Sequence, residues 1–284
     1  MHSEFDIEIV NVSDVGKKRP HNEDSTVSDM QNGLVTLADG MGGYKAGELA
    51  SAIAVTTILH DIAVDQKSGH AIKDKKKPVE QKPPGHASTL IKSAINHANS
   101  NIYNMAKMDE QCQGMGTTVV AALFHNDRVS IGHVGDSRAY RLRENNFQQI
   151  TKDHSLIQEL IDRKLYTPEE AYAKMPKNLV TRGLGLDVTV EVDIVEEPVF
   201  PGDIYLVCSD GLTDMVNDEE IHLTLSKYSA NLVQAAGNLV QLANNKGGKD
   251  NISVILVRVK NKASRETKSG LYNRLLNRFF AARG

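Results

Sequence analysis

Cysteine is nearly absent: Cys112 and Cys208 are the only two among 284 residues. Neither stands at a metal-ligand spacing, which excludes a zinc framework. Cys208 lies inside the apolar run Ile204-Tyr205-Leu206-Val207-Cys208, so it reads as a buried reduced thiol rather than a nucleophile or half of a disulfide. A charge excess is missing as well. The 33 basic and 36 acidic residues leave a net charge of −3 and a pI near 6.4, without the global basic footprint of a nucleic-acid binder. Long hydrophobic runs are lacking, since the longest, Val119 to Phe124, falls far short of the roughly 20 residues that span a bilayer. The segment Met1-His2-Ser3-Glu4-Phe5-Asp6 has neither the basic nor the apolar region of a secretion signal. The expectation is a cytoplasmic globular chain of one large or two small domains.

What is present alternates between strand and helix patterns in clusters. Ile7 to Val10 and Gly33 to Ala38 read as strands joined by a polar loop. A helix from Gly47 carries Ala50, Ala54, Ile58 and Ile62 on one face. Residues 64–87 are rich in lysine, proline, glycine and histidine, and read as a mobile polar insertion. A second helix, capped by Ser88, carries the stripe Ile91, Ala94, Ile95, Ala98, Ile102 and Met105. Strands follow at Thr117–Phe124, Val129–Val134 and Ala139–Leu142, then a helical interval from Ser155 to Lys174 that contains the capping signature Thr167-Pro168-Glu169-Glu170. Strands return at Val190–Val195, Asp203–Cys208 and Ile252–Val259, with helices at Glu219–Leu225 and Asn231–Asn244 between the last two. Clustered strands with paired helices predict an α+β sandwich of antiparallel sheets covered by helices. The core is expected to end near Lys260, leaving 261–284 as a separate tail.

Three aspartates stand where apolar runs break: Asp39 before Gly40, Asp210 before Gly211, and Asp250 before Asn251. A fourth, Asp136, follows the strand ending at Val134. A sheet could bring these carboxylates to one rim, where they repel one another and lose solvation, so cations are needed to keep them there. Oxygen-only donors select hard ions, Mg²⁺ or Mn²⁺. Upstream, Arg19 precedes the carboxylate pair Glu23 and Asp24, and a guanidinium suits a bidentate grip on a phosphoryl group.

Arg19-x-x-Asn22-Glu23-Asp24, Ala38-Asp39-Gly40-Met41-Gly42-Gly43, Gly114-Met115-Gly116-Thr117-Thr118, Val134-Gly135-Asp136-Ser137-Arg138, Thr151-Lys152-Asp153-His154-Ser155, Leu179-Val180-Thr181-Arg182-Gly183-Leu184-Gly185, Cys208-Ser209-Asp210-Gly211-Leu212-Thr213 and Gly248-Lys249-Asp250-Asn251 occur in that order. Together, over residues 5–260, they resemble the bacterial form of the metal-dependent protein phosphatase family PP2C (PPM). The resemblance implies a four-layer α-β-β-α sandwich over residues 1–260, with 155–181 as a flap beside the site. It implies that Asp39 bridges two Mn²⁺ or Mg²⁺ ions, that the Gly40 carbonyl binds one of them, and that Asp210 and Asp250 hold the other. Glu23 and Asp24 would act through metal-held waters, Arg19 would grip the substrate phosphate, and Asp136 with Asp210 would hold a third ion. The implied activity is hydrolysis of phosphoserine and phosphothreonine in proteins by metal-activated water, opposing a bacterial Hanks-type kinase.

Two departures qualify the resemblance. Many eukaryotic relatives carry a histidine two residues after the bridging aspartate. Here the position is Met41, which donates no proton, so a water at the Asp136 ion is the expected substitute. The flap has Met175-Pro176 where relatives often have histidine-proline. His154, just before the flap, is expected to be a hydrogen-bonded structural residue. Thr117, Thr118, Ser137 and Arg138 are expected to pack or brace turns, and the Lys73–Lys77 run to be a solvated loop. In the tail, Leu271, Tyr272, Leu275, Leu276, Phe279 and Phe280 share a helical face opposite Arg274 and Arg278, a pattern suited to an anionic membrane or a partner groove. Two other functions fit less well: a catalytically silent phosphoprotein-binding regulator, disfavoured by the full set of Asp39, Asp210, Asp250 and Arg19, and a two-metal nuclease, disfavoured by the missing basic stripe.

Overall fold

The chain's computed structural model describes residues 6–42, 46–67, 85–176 and 179–260. Strands β1 (Asp6–Asp14), β2 (Asp24–Asp29) and β3 (Leu34–Met41) lead into helices α1 (Ala46–Lys67) and α2 (His86–Met108). Then come β4 (Gly116–Thr117), β5 (Val119–His125), β6 (Arg128–Val134), β7 (Arg138–Arg143) and β8 (Asn146–Gln149). Two short helices, α3 (Leu156–Asp162) and α4 (Pro168–Lys174), precede β9 (Asp193–Pro198) and β10 (Ile204–Cys208). The single turn α5 (Asp210–Thr213), α6 (Asp218–Lys227), α7 (Leu232–Asn245) and β11 (Ile252–Lys260) complete the order.

One antiparallel sheet runs β1-β11-β10-β7-β8, the other β2-β3-β5-β6-β9 with β4 against β3. The period-two alternation of side chains assigns each strand residue to a layer. On β5, Val119, Ala121 and Leu123 pack beneath α1 and α2, while Val120, Ala122 and Phe124 face the other sheet. On β11, Ile252, Val254 and Leu256 pack beneath α6 and α7, while Ile255, Val257 and Val259 face inward. A strand covered on both faces reads as a continuous apolar run, which is why Ile252 to Val257 shows no polar alternation beyond Ser253. Each aliphatic side chain buried this way contributes about 1.5–3 kcal/mol. The result is the expected α-β-β-α layering.

Helix α1 is the one described helix long and apolar enough to cross a membrane, and it is a core helix. Ala50, Ala54, Ile58 and Ile62 are fully buried in the cluster it shares with α2 and β3.

Several local expectations change. Strand β2 lies where a polar loop was expected; its sequence Asp24-Ser25-Thr26-Val27-Ser28-Asp29 is strand-forming because β3 pairs with it along its whole length at a sheet edge. Strand β8 was missed for the same reason. Helix α1 continues to Lys67 and α2 starts at His86, so the polar insertion is shorter than 64–87, and the His86 ring lies 2.9 Å from the Asp65 carboxylate across the two helices. Ser88 is not the cap of α2. It lies inside the helix, and its hydroxyl donates to Glu196 Oε2 at 2.7 Å, linking the helix to β9. The Thr167 capping box forms as read, and Asn217 makes a second one on α6. Gly43, the Lys73–Lys77 run, residues 177–178 of the 155–181 interval and the 261–284 tail lie outside the described residues.

Candidate active site

Asp24 opens β2 and faces Asp39 of β3 directly in the strand register. Opposed like charges on neighbouring strands are destabilising by themselves. Asp210 and Asp250 come from the other sheet, where β10 hands over to α5 and where the chain enters β11. The fully buried Ser209 closes the gap between the sheets: its hydroxyl donates to Asp24 Oδ2 at 2.9 Å and accepts the Ser253 N–H at 3.0 Å. Asn251 fastens the preceding loop. Its carbonyl oxygen accepts the Glu23 N–H at 2.8 Å, and its amide donates to the carbonyls of Val15 and His21, each at 3.0 Å. Arg19, on that loop, reaches Asp250 Oδ2 with Nη2 at 2.6 Å and keeps about half of its side chain, 47%, in solvent.

The Asp-Gly at 39–40 is a crossing point rather than a hairpin turn. A Cβ on Gly40 would lie 2.1 Å from the Gly47 carbonyl oxygen and 2.6 Å from that of Glu23, so only glycine lets α1 and the Glu23 loop meet there. Asp39 itself is fixed by its backbone: its N–H donates to Thr118 Oγ1 at 3.1 Å, and its carbonyl accepts the Thr117 hydroxyl at 2.8 Å. Thr118 also meets Ser137 Oγ at 2.8 Å, tying Asp39 to the turn that carries Asp136. At Gly135 the backbone has φ +107°, and a Cβ would approach Thr118 Cβ to 2.6 Å.

Asp136, Asp153, Asp210 and Asp214 line a recess of about 30 Å³ that Ile157 of α3 and Tyr172 of α4 also border. That is room for a water or a single ion. Burial, then the charges of Asp24, Asp210, Asp136 and Asp250, push the Asp39 carboxyl far above its ordinary range. Burial, then Asp136 and Asp214, do the same to Asp210. Burial raises Asp24 to about 6 against hydrogen bonds from Ser253 and Ser209, and burial with Asp153 raises Asp136 to about 6. Asp24 Oδ1 and Asp210 Oδ1 are buried without a hydrogen-bond partner. Orphaned carboxylate oxygens within a mutually repelling group are costly. Oxygen donors of this kind fit hard divalent cations.

All of the expected site residues therefore converge at one end of the sandwich, with Met41 at the end of β3 opposite Gly116. The Protein phosphatase 2C family profile matches residues 17–245. The chain belongs to the protein phosphatase 2C family. It is 37% identical over 260 residues to the serine/threonine phosphatase stp of Listeria welshimeri, covering 90% of this chain and 95% of that one. It is 36% identical over 247 residues to the serine/threonine protein phosphatase PstP of Mycobacterium tuberculosis, covering 87% of this chain but 44% of the relative, so it matches less than half of that relative's length. A crystal structure of the M. tuberculosis PstP superposes with a TM-score of 0.78 at 35% identity, covering 89% of this chain and 99% of that one. A structure of the PstP catalytic domain in complex with two manganese ions superposes with a TM-score of 0.75, again at 35% identity, over 89% of this chain and 98% of that one.

Within this PP2C site, three residues escaped the sequence reading. Asp214 follows Asp210 by four, and its N–H donates to the Asp210 carbonyl at 2.7 Å, so the helical spacing was a usable signal. Asp153 anchors Arg138 through both oxygens, with Nη2 to Oδ2 at 2.6 Å, while bordering the recess. Ser209 carried no signal, because its partner Asp24 is 185 positions away.

A second cluster lies behind the Asp136 turn. Ligand atoms of His133, His154 and Asp193 fall within 4.8 Å of one another, a spacing within reach of one ion. Its geometry serves a different purpose. The two rings are stacked at 4.7 Å and 19°, so their in-plane lone pairs do not converge. His154 Nδ1 accepts the Gly135 N–H at 3.1 Å, and burial lowers the pKa of both rings, keeping them neutral. Asp193 already has a cation, with Arg182 Nη1 at 3.1 Å from its Oδ1. His154 is thus a hydrogen-bonded support, in line with its sequence reading.

Proposed function

We propose that this chain is a metal-dependent protein phosphatase that removes phosphate from phosphoserine and phosphothreonine and opposes a bacterial Hanks-type serine/threonine kinase in the cytoplasm. The observation that carries this reading is the convergence of buried, mutually repelling carboxylates from both sheets beside the half-exposed Arg19. Its family membership supports the same reading, as does the pair of manganese ions in the PstP catalytic domain.

Asp39 would touch two Mn²⁺ or Mg²⁺ ions, the Gly40 carbonyl one of them, and Asp210 with Asp250 the other. Glu23 and Asp24 would hold surrounding waters, and Asp136 with Asp210 would take a third ion. Divalent ions bound there supply a water acidic enough to attack phosphorus near neutral pH and neutralise charge on the transferring group. The chain's own residues do the rest. Arg19 presents two guanidinium N–H groups to the phosphate oxygens and orients the ester for in-line attack. Neither thiol takes part, since Cys208 is fully buried and Cys112 nearly so. Met41 donates no proton to the departing serine or threonine oxygen. A water at the Asp136 position, bordered by Asp153 and Asp214, would do so. The phosphatase domain extends over 1–260 in this proposal, with 155–181 as its flap; the family profile supports residues 17–245 of it. The 261–284 tail belongs to the same proposal as a docking segment for a membrane or partner protein.

The deciding assay is hydrolysis of p-nitrophenyl phosphate and a phosphothreonine peptide with Mn²⁺, with and without EDTA, for wild type and Asp39→Asn. Turnover should require Mn²⁺ and fall by at least about 100-fold in the variant. Turnover indifferent to both EDTA and the substitution would overturn the reading, and peptide binding without turnover would mark a silent regulator.

A further inference from the structure

Two loops frame the Arg19 side of the site, and both carry exposed lysines. The β1–β2 loop carries Lys17 and Lys18 next to Arg19, and the α7–β11 loop carries Lys249 next to Asp250. The loops are bound to each other. The Lys17 N–H donates to the Gly248 carbonyl at 2.7 Å, and a Cβ built on Gly248 would meet Lys17 Cγ at 3.2 Å. The side chains of Lys17, Lys18 and Lys249 are exposed, and among the described residues none of their ammonium groups makes an ion pair. Lys246, on the same side, differs: it is held by Glu220 at 2.5 Å. On a chain of net charge −3, three free ammonium groups flanking one guanidinium are a local concentration of positive charge.

A phosphoresidue seated at Arg19 therefore lies beside a cationic rim. We propose that Lys17, Lys18 and Lys249 form a docking rim for anionic residues flanking the scissile phosphoresidue, so that the favoured substrates carry aspartate, glutamate or a second phosphorylated residue within a few positions of the target. This deepens the phosphatase reading and rests on it. Exposed ion pairs are individually weak, so the selectivity comes from several acting together and is screened by salt.

The test uses the Mn²⁺-loaded full chain and the triple variant Lys17→Gln, Lys18→Gln, Lys249→Gln. Phosphothreonine peptides are prepared with alanine and glutamine flanks, aspartate and glutamate flanks, or a second phosphothreonine. Each is also made with a non-hydrolysable phosphonate for binding by fluorescence anisotropy. The variant should keep wild-type turnover of p-nitrophenyl phosphate and of the neutral-flanked peptide. It should lose roughly tenfold in kcat/KM and in affinity for one or both anionic peptides, mainly through KM. At about 0.5 M salt wild type and variant should converge. Loss confined to the doubly phosphorylated peptide assigns the rim to phosphate, and loss confined to the acidic peptide assigns it to carboxylates. Equal behaviour of wild type and variant on all three flanks overturns the proposal. A wild type that hydrolyses nothing overturns the phosphatase reading instead, and the phosphonate binding series still decides the rim.

Discussion

His154 and Gly135 are bonded to each other twice: the Gly135 N–H donates to His154 Nδ1 at 3.1 Å, and the His154 N–H donates to the Gly135 carbonyl at 2.9 Å. The His154 carbonyl also accepts the Thr181 N–H at 2.8 Å. One residue therefore holds both the turn that carries Asp136 and the segment around Thr181 that follows α4.

His154→Ala leaves the buried Gly135 N–H with one partner fewer. It should cost about 1–3 kcal/mol of unfolding free energy, read by urea denaturation. It should also lower activity by loosening Asp136. A variant as stable as wild type would show that the ring contributes nothing to the turn.

Asp136→Ala removes one wall of the recess shared with Asp210 and Asp214 but leaves Asp39 and Asp250 in place. Titration calorimetry with Mn²⁺ should lose one binding event and keep the others, and peptide turnover should fall by about 10–100-fold. An unaltered rate would remove the third ion from the mechanism.

The metal-free protein should become less stable as pH rises from about 4 to about 7. Asp24 and Asp136 are raised in the folded state to about 6 from 3.8. Below the ordinary value both folded and unfolded chains are protonated, and the contribution is fully present. Between the two values the folded chain holds more protons, so stability falls with pH and is lost as pH passes the folded value. The buried His133 and His154, with lowered pKa, work in the opposite direction up to their ordinary value near 6.5. The difference between wild type and Asp136→Asn across pH isolates the carboxylate part. Thermal denaturation in EDTA should show that difference falling as pH rises, and Mn²⁺ should reverse its slope, because an ion held by the carboxylate favours the deprotonated wild type. A pH-independent difference would contradict the burial of an ionisable Asp136.

The site was legible in the sequence because its residues sit at the ends of strongly apolar runs. Asp39 and Asp210 stand where a buried apolar run ends and Asp250 just before one begins, and that signal survives without knowledge of the partners. Strand β2 was illegible because its pairing with β3, rather than its own polar residues, makes it a strand. Ser88 misled because a serine at a helix start usually caps, whereas here it serves a buried hydrogen bond to Glu196 on β9. Ser209 could not be read at all, since what it does depends on how two sheets meet.

That meeting has a consequence for how such a molecule fails. Asp24 and Asp39 belong to one sheet, Asp210 and Asp250 flank strands of the other, and Asp136 sits on the turn from β6 to β7 that crosses between them, with the Ser209 hydroxyl as a stitch across the seam. The interface between the sheets is filled mainly by valine, isoleucine, leucine and alanine, whose contacts are largely interchangeable, with Phe124 edge-on to Tyr205 and Arg141 paired to Glu197 away from the site. A slip of one sheet past the other by a single residue step, about 3.3 Å, would preserve much of that oily contact. The same slip would pull the carboxylates out of reach of a shared ion. Chemistry here is therefore more sensitive to alignment than folding is, and a chain that is mis-seated but intact would look healthy by every bulk measure while being inert.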